Sequence, residues 1–199
     1  MFITTRAVSN NLNLIPMVRS LLLLFSLALL SSPLLRSQVR QVDLKEMIES
    51  SGMIFAGVVT EVEGGEDENG DIVTWTTFRV ESPIRGVIPG SVKIKQYGGI
   101  TSKGTMTLAH MRYFVEGERV LVMLYPASDL GFTSPIGMGQ GVWSVNDRGE
   151  LQGVSPQLFS NIEEVAKKEE ALPDSRGHVL LSKMISLIQT LTQSGGGNQ

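Results

Sequence analysis

Residues 66–71 read EDENGD, four carboxylates gathered around Asn69. Oxygen-rich loops hold Ca²⁺, and Asp67, Asn69 and Asp71 have the spacing that opens an EF-hand loop. That loop ends on a bidentate Glu at its twelfth position, and counting from Asp67 the twelfth residue is Phe78. The stretch is therefore expected to be a hairpin turn. Asn69-Gly70 suits the positive φ of a type I′ turn, with solvated acids around it. Ca²⁺ at Asp67, Asn69 and Asp71 is the alternative.

Other chemistry is scarcer. Gly99 and Gly104 have phosphate-loop spacing, but Thr105 stands where that loop needs Lys, and Lys103 precedes the second Gly. Ser102 and Lys103 are adjacent, so their side chains diverge rather than form a nucleophile–base pair. His110 and His178 are the only histidines and the chain has no Cys, so a zinc site would need both imidazoles plus carboxylates. No G-x-S-x-G elbow occurs. A hydrolytic enzyme would need His110 beside a carboxylate and a nucleophile. No catalytic residue is assigned, and the residues point to no cofactor.

What remains are candidate contact residues. Gly137, Gly139 and Gly141 alternate with Met138, Gln140 and Val142 and lead into Trp143. In an extended strand the three glycines share a face without side chains, which a flat ligand could approach. Trp75 falls on the outward face of its strand. Trp75, His110, Gly137, Gly139, Gly141 and Trp143 form the candidate ligand set.

The elements that must position these residues are mostly strands. Residues 53–63, 72–82 and 91–97 form a meander. The first is apolar on both faces in its early half, as in a covered strand. In the second, Ile72, Phe78 and Val80 point inward with Thr74 and Thr76, while Trp75, Arg79 and Glu81 point outward. Residues 98–118 keep no period and are expected as a long loop returning at Phe114. Residues 119–125 (RVLVMLY) are apolar throughout and read as a central strand, and 131–145 as a last strand or bent pair. A short helix over 42–51 precedes the meander. Helices over 157–171 and 179–191 follow it, the second with Leu180, Leu181, Met184, Leu187, Ile188 and Leu191 as its stripe.

Arg6 and Arg19 precede the apolar run 21–30, and Ser31, Ser32 and Pro33 follow. A positive start, a short apolar run and small residues predict a cleaved signal peptide over 1–37. Retained, the run would be the chain's one membrane contact. A net charge of −3 without a basic block speaks against a nucleic-acid partner. The expected divisions are a β-barrel with its leading helix over 42–152, a helical cover over 153–193 and a disordered tail over 194–199.

A longer pattern runs through these segments: S-x-M-I-F-A-G-V-V-T-x-V, T-F-R-V, R-G-V-I-P-G-S-V-K-I with G-G, F-V-E-G-E-R-V-L-V-M-L, and G-x-G-Q-G-V-W-S-V. It resembles a group of secreted, mostly uncharacterised bacterial proteins. More distantly it is similar to the netrin-like module and the N-terminal domain of tissue inhibitors of metalloproteinases. The resemblance implies a five-stranded OB-type barrel flanked by helices. The inhibitors chelate the protease zinc through an N-terminal Cys, which this chain lacks.

The expectation is a mainly β protein, a five- to six-stranded OB-like, netrin-like barrel with flanking helices. It would be secreted or periplasmic and serve as a non-enzymatic binding or structural module for an unknown protein or envelope component. A netrin-like protease inhibitor or regulator is the first alternative and a hydrolytic enzyme the second.

Overall fold

The computed structural model describes residues 40–102 and 104–195. The expected signal peptide, Lys103 and the end of the expected tail lie outside the described residues. Among the described residues no helix is long and apolar enough to cross a membrane.

Helix α1 (Leu44–Ser50) starts where expected. Asp43 Oδ1 accepts the Glu46 N–H at 2.9 Å, satisfying one of the free donors of the first turn. Three long strands follow: β1 (Met53–Glu66), β2 (Ile72–Arg85) and β3 (Gly90–Tyr97). The expected loop after them contains a small hairpin, β4 (Gly99–Thr101) with β5 (Gly104–Met106), which is too short to show a period in sequence. Strand β6 (Arg119–Leu124) is central and β7 (Val142–Ser144) ends the main sheet. That sheet is antiparallel, with order β3-β2-β1-β6-β7.

The doubly apolar start of β1 has a clear cause. Ile54 and Ala56 face one core, while Phe55 and Val59 face another. Strand β6 divides likewise, with Leu121 and Met123 on one side and Val120, Val122 and Leu124 on the other. Successive strand side chains point to opposite faces, so a strand buried on both sides must be apolar at every position. One core lies in the hollow of the meander, where Phe78 meets Phe55 and Phe114 edge to face at 5.2 and 4.9 Å. The second lies between the sheet and the helices.

No closed barrel forms, since the ends of the sheet are not joined by a strand ladder. Residues 132–135 instead link β3 to β6. Phe132 makes a parallel bridge with Lys95 of β3, and the Thr133 N–H donates to Lys95 O at 2.9 Å. Pro135 bridges Leu124 at the end of β6. Register shifts between Ile54 and Phe55, Ala56 and Gly57, and Val59 and Glu61 bend β1 toward this closure.

The helical cover departs from expectation in detail. Instead of one helix over 157–171 there is a 3₁₀ turn, Pro156–Phe159, and a short helix α2, Glu163–Lys168. Leu158 and Phe159 of the turn and Ile162 just before α2 are all buried. Strands β8 (Glu150–Leu151) and β9 (Val179–Leu180) pair, and α3 (Leu181–Gly195) packs Met184, Leu187 and Ile188 into the core. Leu180, expected on that stripe, is in β9 and exposed. Ser194 and Gly195 belong to α3 rather than to a tail.

Four turns share one construction: Asp67–Gly70, Ser128–Gly131, Asn146–Gly149 and Asp174–Gly177. In each, the Gly N–H donates to the first residue's carbonyl at 2.8–3.0 Å, and the first N–H donates to the carbonyl after the Gly. The first side-chain oxygen accepts the N–H beyond the Gly, at 2.9–3.2 Å. Gly70, Gly131, Gly149 and Gly177 have φ of 82°, 78°, 74° and 74°. Asn69 does not share the positive φ, so the acidic hairpin is not the expected type I′ turn. It is a turn capped by an Asp side chain and followed by a left-handed Gly.

Candidate functional site

The acidic turn is occupied by the protein itself. Asp67 Oδ1 accepts from Asn69 N and Asp71 N at 2.9 and 3.0 Å, and Oδ2 lies 2.6 Å from Lys95 Nζ. The Lys95 hydrogen bond, with those backbone N–H groups, holds the Asp67 carboxyl below its usual range. Among the described residues no group of three or more His, Asp or Glu is placed to hold a metal.

The glycine run is not extended. Residues Ile136–Gly139 form a 3₁₀ turn in which Gly137 and Met138 have φ of 59° and 66°. The three glycines therefore do not share a strand face. Gly139 lies against the Arg112 side chain and Gly141 against Met123 O and Ile136. Trp143, expected at a contact face, is buried in the core beneath the helices. His110 is exposed with φ 65°, and among the described residues its side chain has no hydrogen bond or ion pair. Trp75 is outward and half-buried, its ring against Gly65 with Lys93 Nζ 5.8 Å from the ring centre. Of the six, Gly139 and Trp143 line one concavity of about 200 Å³, with the His110 carbonyl beside Gly139, and Trp75 is not among its lining residues.

A different site emerges at one end of the meander hollow. Here β4 and β5 lie as a flap over β1 and β2, and a concavity of about 340 Å³ opens beneath. Val62, Thr74, Ile100, Thr107, Tyr113 and Phe114 line it, with Gly64 and Gly99. The flap seats only because two residues lack side chains. A Cβ on Gly64 would stand 2.0 Å from Ile100 O, and one on Gly99 2.3 Å from Thr74 Oγ1. Tyr113 pins the flap, its hydroxyl donating to Tyr97 O at 2.8 Å. The segment bearing Tyr113 and Phe114 is fixed by Arg112, which pairs with Glu118. Ser144 Oγ donates to the same carboxylate at 2.8 Å.

Beside Thr74 of this mouth, the inner face of β2 and β3 carries further uncharged polar side chains that are themselves buried. Thr74 stands opposite Gln96 in the β2–β3 ladder, and Thr76 is the next inward residue on β2. Thr74 Oγ1 donates to Gly98 O at 2.7 Å. Gln96 Nε2 donates to Arg112 O at 3.0 Å, while Gln96 Oε1 and Thr76 Oγ1 are buried without a partner. Buried polar atoms are normally hydrogen-bonded, and these two are exceptions.

A larger groove of about 490 Å³ separates α1 from α3. Its polar groups are already engaged. Arg85 caps the end of α1 through the Ile48 and Ser51 carbonyls, and Asn161 Nδ2 donates to Asp43 Oδ2 at 2.7 Å. The mouth is the better candidate.

No known protein family, curated protein or solved structure matches the chain. Sequence reasoning missed Val62, Ile100, Tyr113 and Phe114 as a set. The available signal was the doublet Gly98-Gly99 directly after a strand, where a close backbone approach is the usual reason for glycine.

Proposed function

We propose that the chain is an exported, non-enzymatic binding module, built on an OB-like, partly open barrel, whose ligand enters the mouth beneath β4 and β5. The ligand is the apolar part of an envelope component or of another exported molecule. The observation that carries this reading is the mouth: a concavity within the 300–1,000 Å³ range of small-molecule sites, walled by Val62, Ile100 and Phe114 with the hydroxyls of Thr74, Thr107 and Tyr113 among them. Its eight lining residues carry no carboxylate, imidazole or amine, so they suit binding rather than acid–base chemistry.

The OB-like, netrin-like reading draws support from the strand order. A three-strand meander is followed by strands on the free side of β1, and residues 132–135 then return to β3 in parallel. That path is the one a partly open five-stranded Greek-key barrel requires. Export is supported by the leader pattern around Arg6, Arg19 and residues 21–30.

The test is titration with a fluorescent apolar probe such as anilinonaphthalene sulfonate. One probe per chain is expected, with binding reduced at least tenfold in Val62→Arg and Ile100→Asp. Both positions reach solvent, so the fold should tolerate the changes. Unchanged binding in both variants would refute the mouth as the site.

A further inference from the structure

The outer edge of β3 is covered at Lys95 and open before it. At Lys95 the chain lays a segment of its own on the edge: Phe132 bridges it in parallel, and the Thr133 N–H donates to Lys95 O at 2.9 Å. Peptide groups alternate between the two sides of a strand, so Lys93 and Ser91 turn their N–H and C=O the same way as Lys95. Among the described residues no strand pairs with them on that side, and no backbone group bonds them there. Beside this edge lies a concavity of about 450 Å³, lined by Val87, Ile88, Ser91 and Val92 with Gly86. Ile88 is 79% exposed in it. No residue lines both this concavity and the mouth.

We infer that this edge receives an extended segment of another protein as an added strand antiparallel to β3, with an acidic residue opposite Lys93 and apolar residues on either side of it. The free N–H and C=O groups of Ser91 and Lys93 supply the main-chain pairing that such strand addition needs. Directly opposed residues share a face of the sheet. The residue opposite Val92 therefore points to the side where Val92 and Val87 pack on the core of the hollow, and an apolar side chain there meets the concavity. The residue opposite Lys93 points to the outer face. On that face Lys95 is already engaged, its Nζ 2.6 Å from Asp67 and both side chains largely covered. Lys93 reaches Glu63 at 3.5 Å, with the two side chains 49% and 60% exposed, so a further carboxylate can join it. Arg79, opposite Ser91, adds a second cation to the face and shares Glu81 with Arg119. A second copy of this chain fits less well. Antiparallel pairing of two β3 edges centred here would set both Lys93 side chains on one face as near neighbours, and an edge lysine is a common guard against such self-pairing.

The experiment is NMR titration of the ¹⁵N-labelled protein with two capped pentapeptides, Val-Glu-Val-Thr-Val and Val-Lys-Val-Thr-Val. The glutamate peptide is expected to bind one per chain and to shift the Ser91 and Lys93 amides. It should bind at least about threefold tighter than the lysine peptide, as an exposed charge pair allows. In Lys93→Glu, a change at an exposed side chain, the preference should invert. In Ser91→Pro, at an edge position whose N–H is turned away from β2, both peptides should weaken about fivefold, the worth of one hydrogen bond. Binding by neither peptide, shifts that spare Ser91 and Lys93, equal affinities, or a preference that survives Lys93→Glu would each overturn the inference, as would unchanged binding in Ser91→Pro. So would sedimentation of the unliganded protein as a dimer that Ser91→Pro splits, because the edge would then belong to a second copy.

Discussion

Gly64 and Ile100 touch through their backbones: a Cβ on residue 64 would stand 2.0 Å from the Ile100 carbonyl oxygen. Neither atom is on a flexible side chain, so nothing can yield without moving the flap. Gly64→Ala is expected to cost about 1–3 kcal/mol, as overpacking does. It should also speed protease cleavage within β4 and β5. Urea denaturation and limited proteolysis measure the two effects. An alanine variant as stable and as resistant as the parent would mean that the flap does not rest on β1.

The four capped turns predict a matched series. Gly70, Gly131 and Gly149 have nothing within 4 Å of an added Cβ, so alanine meets only the backbone cost of left-handed φ. Each substitution should destabilise by about 1–2 kcal/mol in urea denaturation. At Gly177 the new Cβ also meets Val154 O at 3.2 Å, so the loss there should be larger.

Asp174 is held down to about 2, first by the His178 N–H and then by the Arg176 N–H and guanidinium. A carboxyl lowered in the folded state contributes stability above its unfolded value and loses it as pH falls through the folded value. For Asp174 that loss falls between its ordinary 3.8 and about 2. Asp174→Asn keeps the acceptor oxygen but not the charge, so its denaturation midpoint should fall less steeply across that window.

Lys95 gives a second acid test. Its ammonium is the main reason that the Asp67 carboxyl is lowered, and the pair is largely shielded from solvent. Lys95→Met should lower the thermal midpoint at neutral pH. It should also shift the onset of acid destabilisation to higher pH, because Asp67 then titrates nearer its ordinary range. A midpoint–pH curve parallel to that of the parent would show the pair to be inconsequential.

Phe78 is fully buried between Phe55 and Phe114. Phe78→Ala should cost about 3–5 kcal/mol by denaturant unfolding, the sum of lost burial and an unfilled cavity. A cost under 1 kcal/mol would mean that the meander hollow is not a packed core.

Much of the fold could be read from the chain, for identifiable reasons. Strands β1, β2, β3 and β6 are long enough for period-two alternation to register, and the apolar run 120–124 could only be a strand buried twice. Short elements escaped notice: three residues each in β4 and β5 are below the length at which a period exists. The run 137–141 misled because alternating glycines look extended, while the positive φ at Gly137 is set by Pro135 and Gln140 hydrogen bonding around a tight turn. The recurring Asp/Asn/Ser-x-x-Gly spacing of the capped turns is visible in the sequence itself. The mouth was not legible, since Val62, Thr74, Ile100 and Phe114 come from four separate segments and none is unusual alone.

The most direct test of the account follows ligand entry residue by residue. The protein labelled with ¹³C at Ile and Val methyls is titrated with anilinonaphthalene sulfonate and its methyl spectra recorded. The account predicts saturating shifts at Val62 and Ile100, which line the mouth, and none at Ile48, which lines the groove between α1 and α3, or at Ile88 on the far loop. Shifts at Ile48 or Ile88 with Val62 and Ile100 unmoved would contradict it.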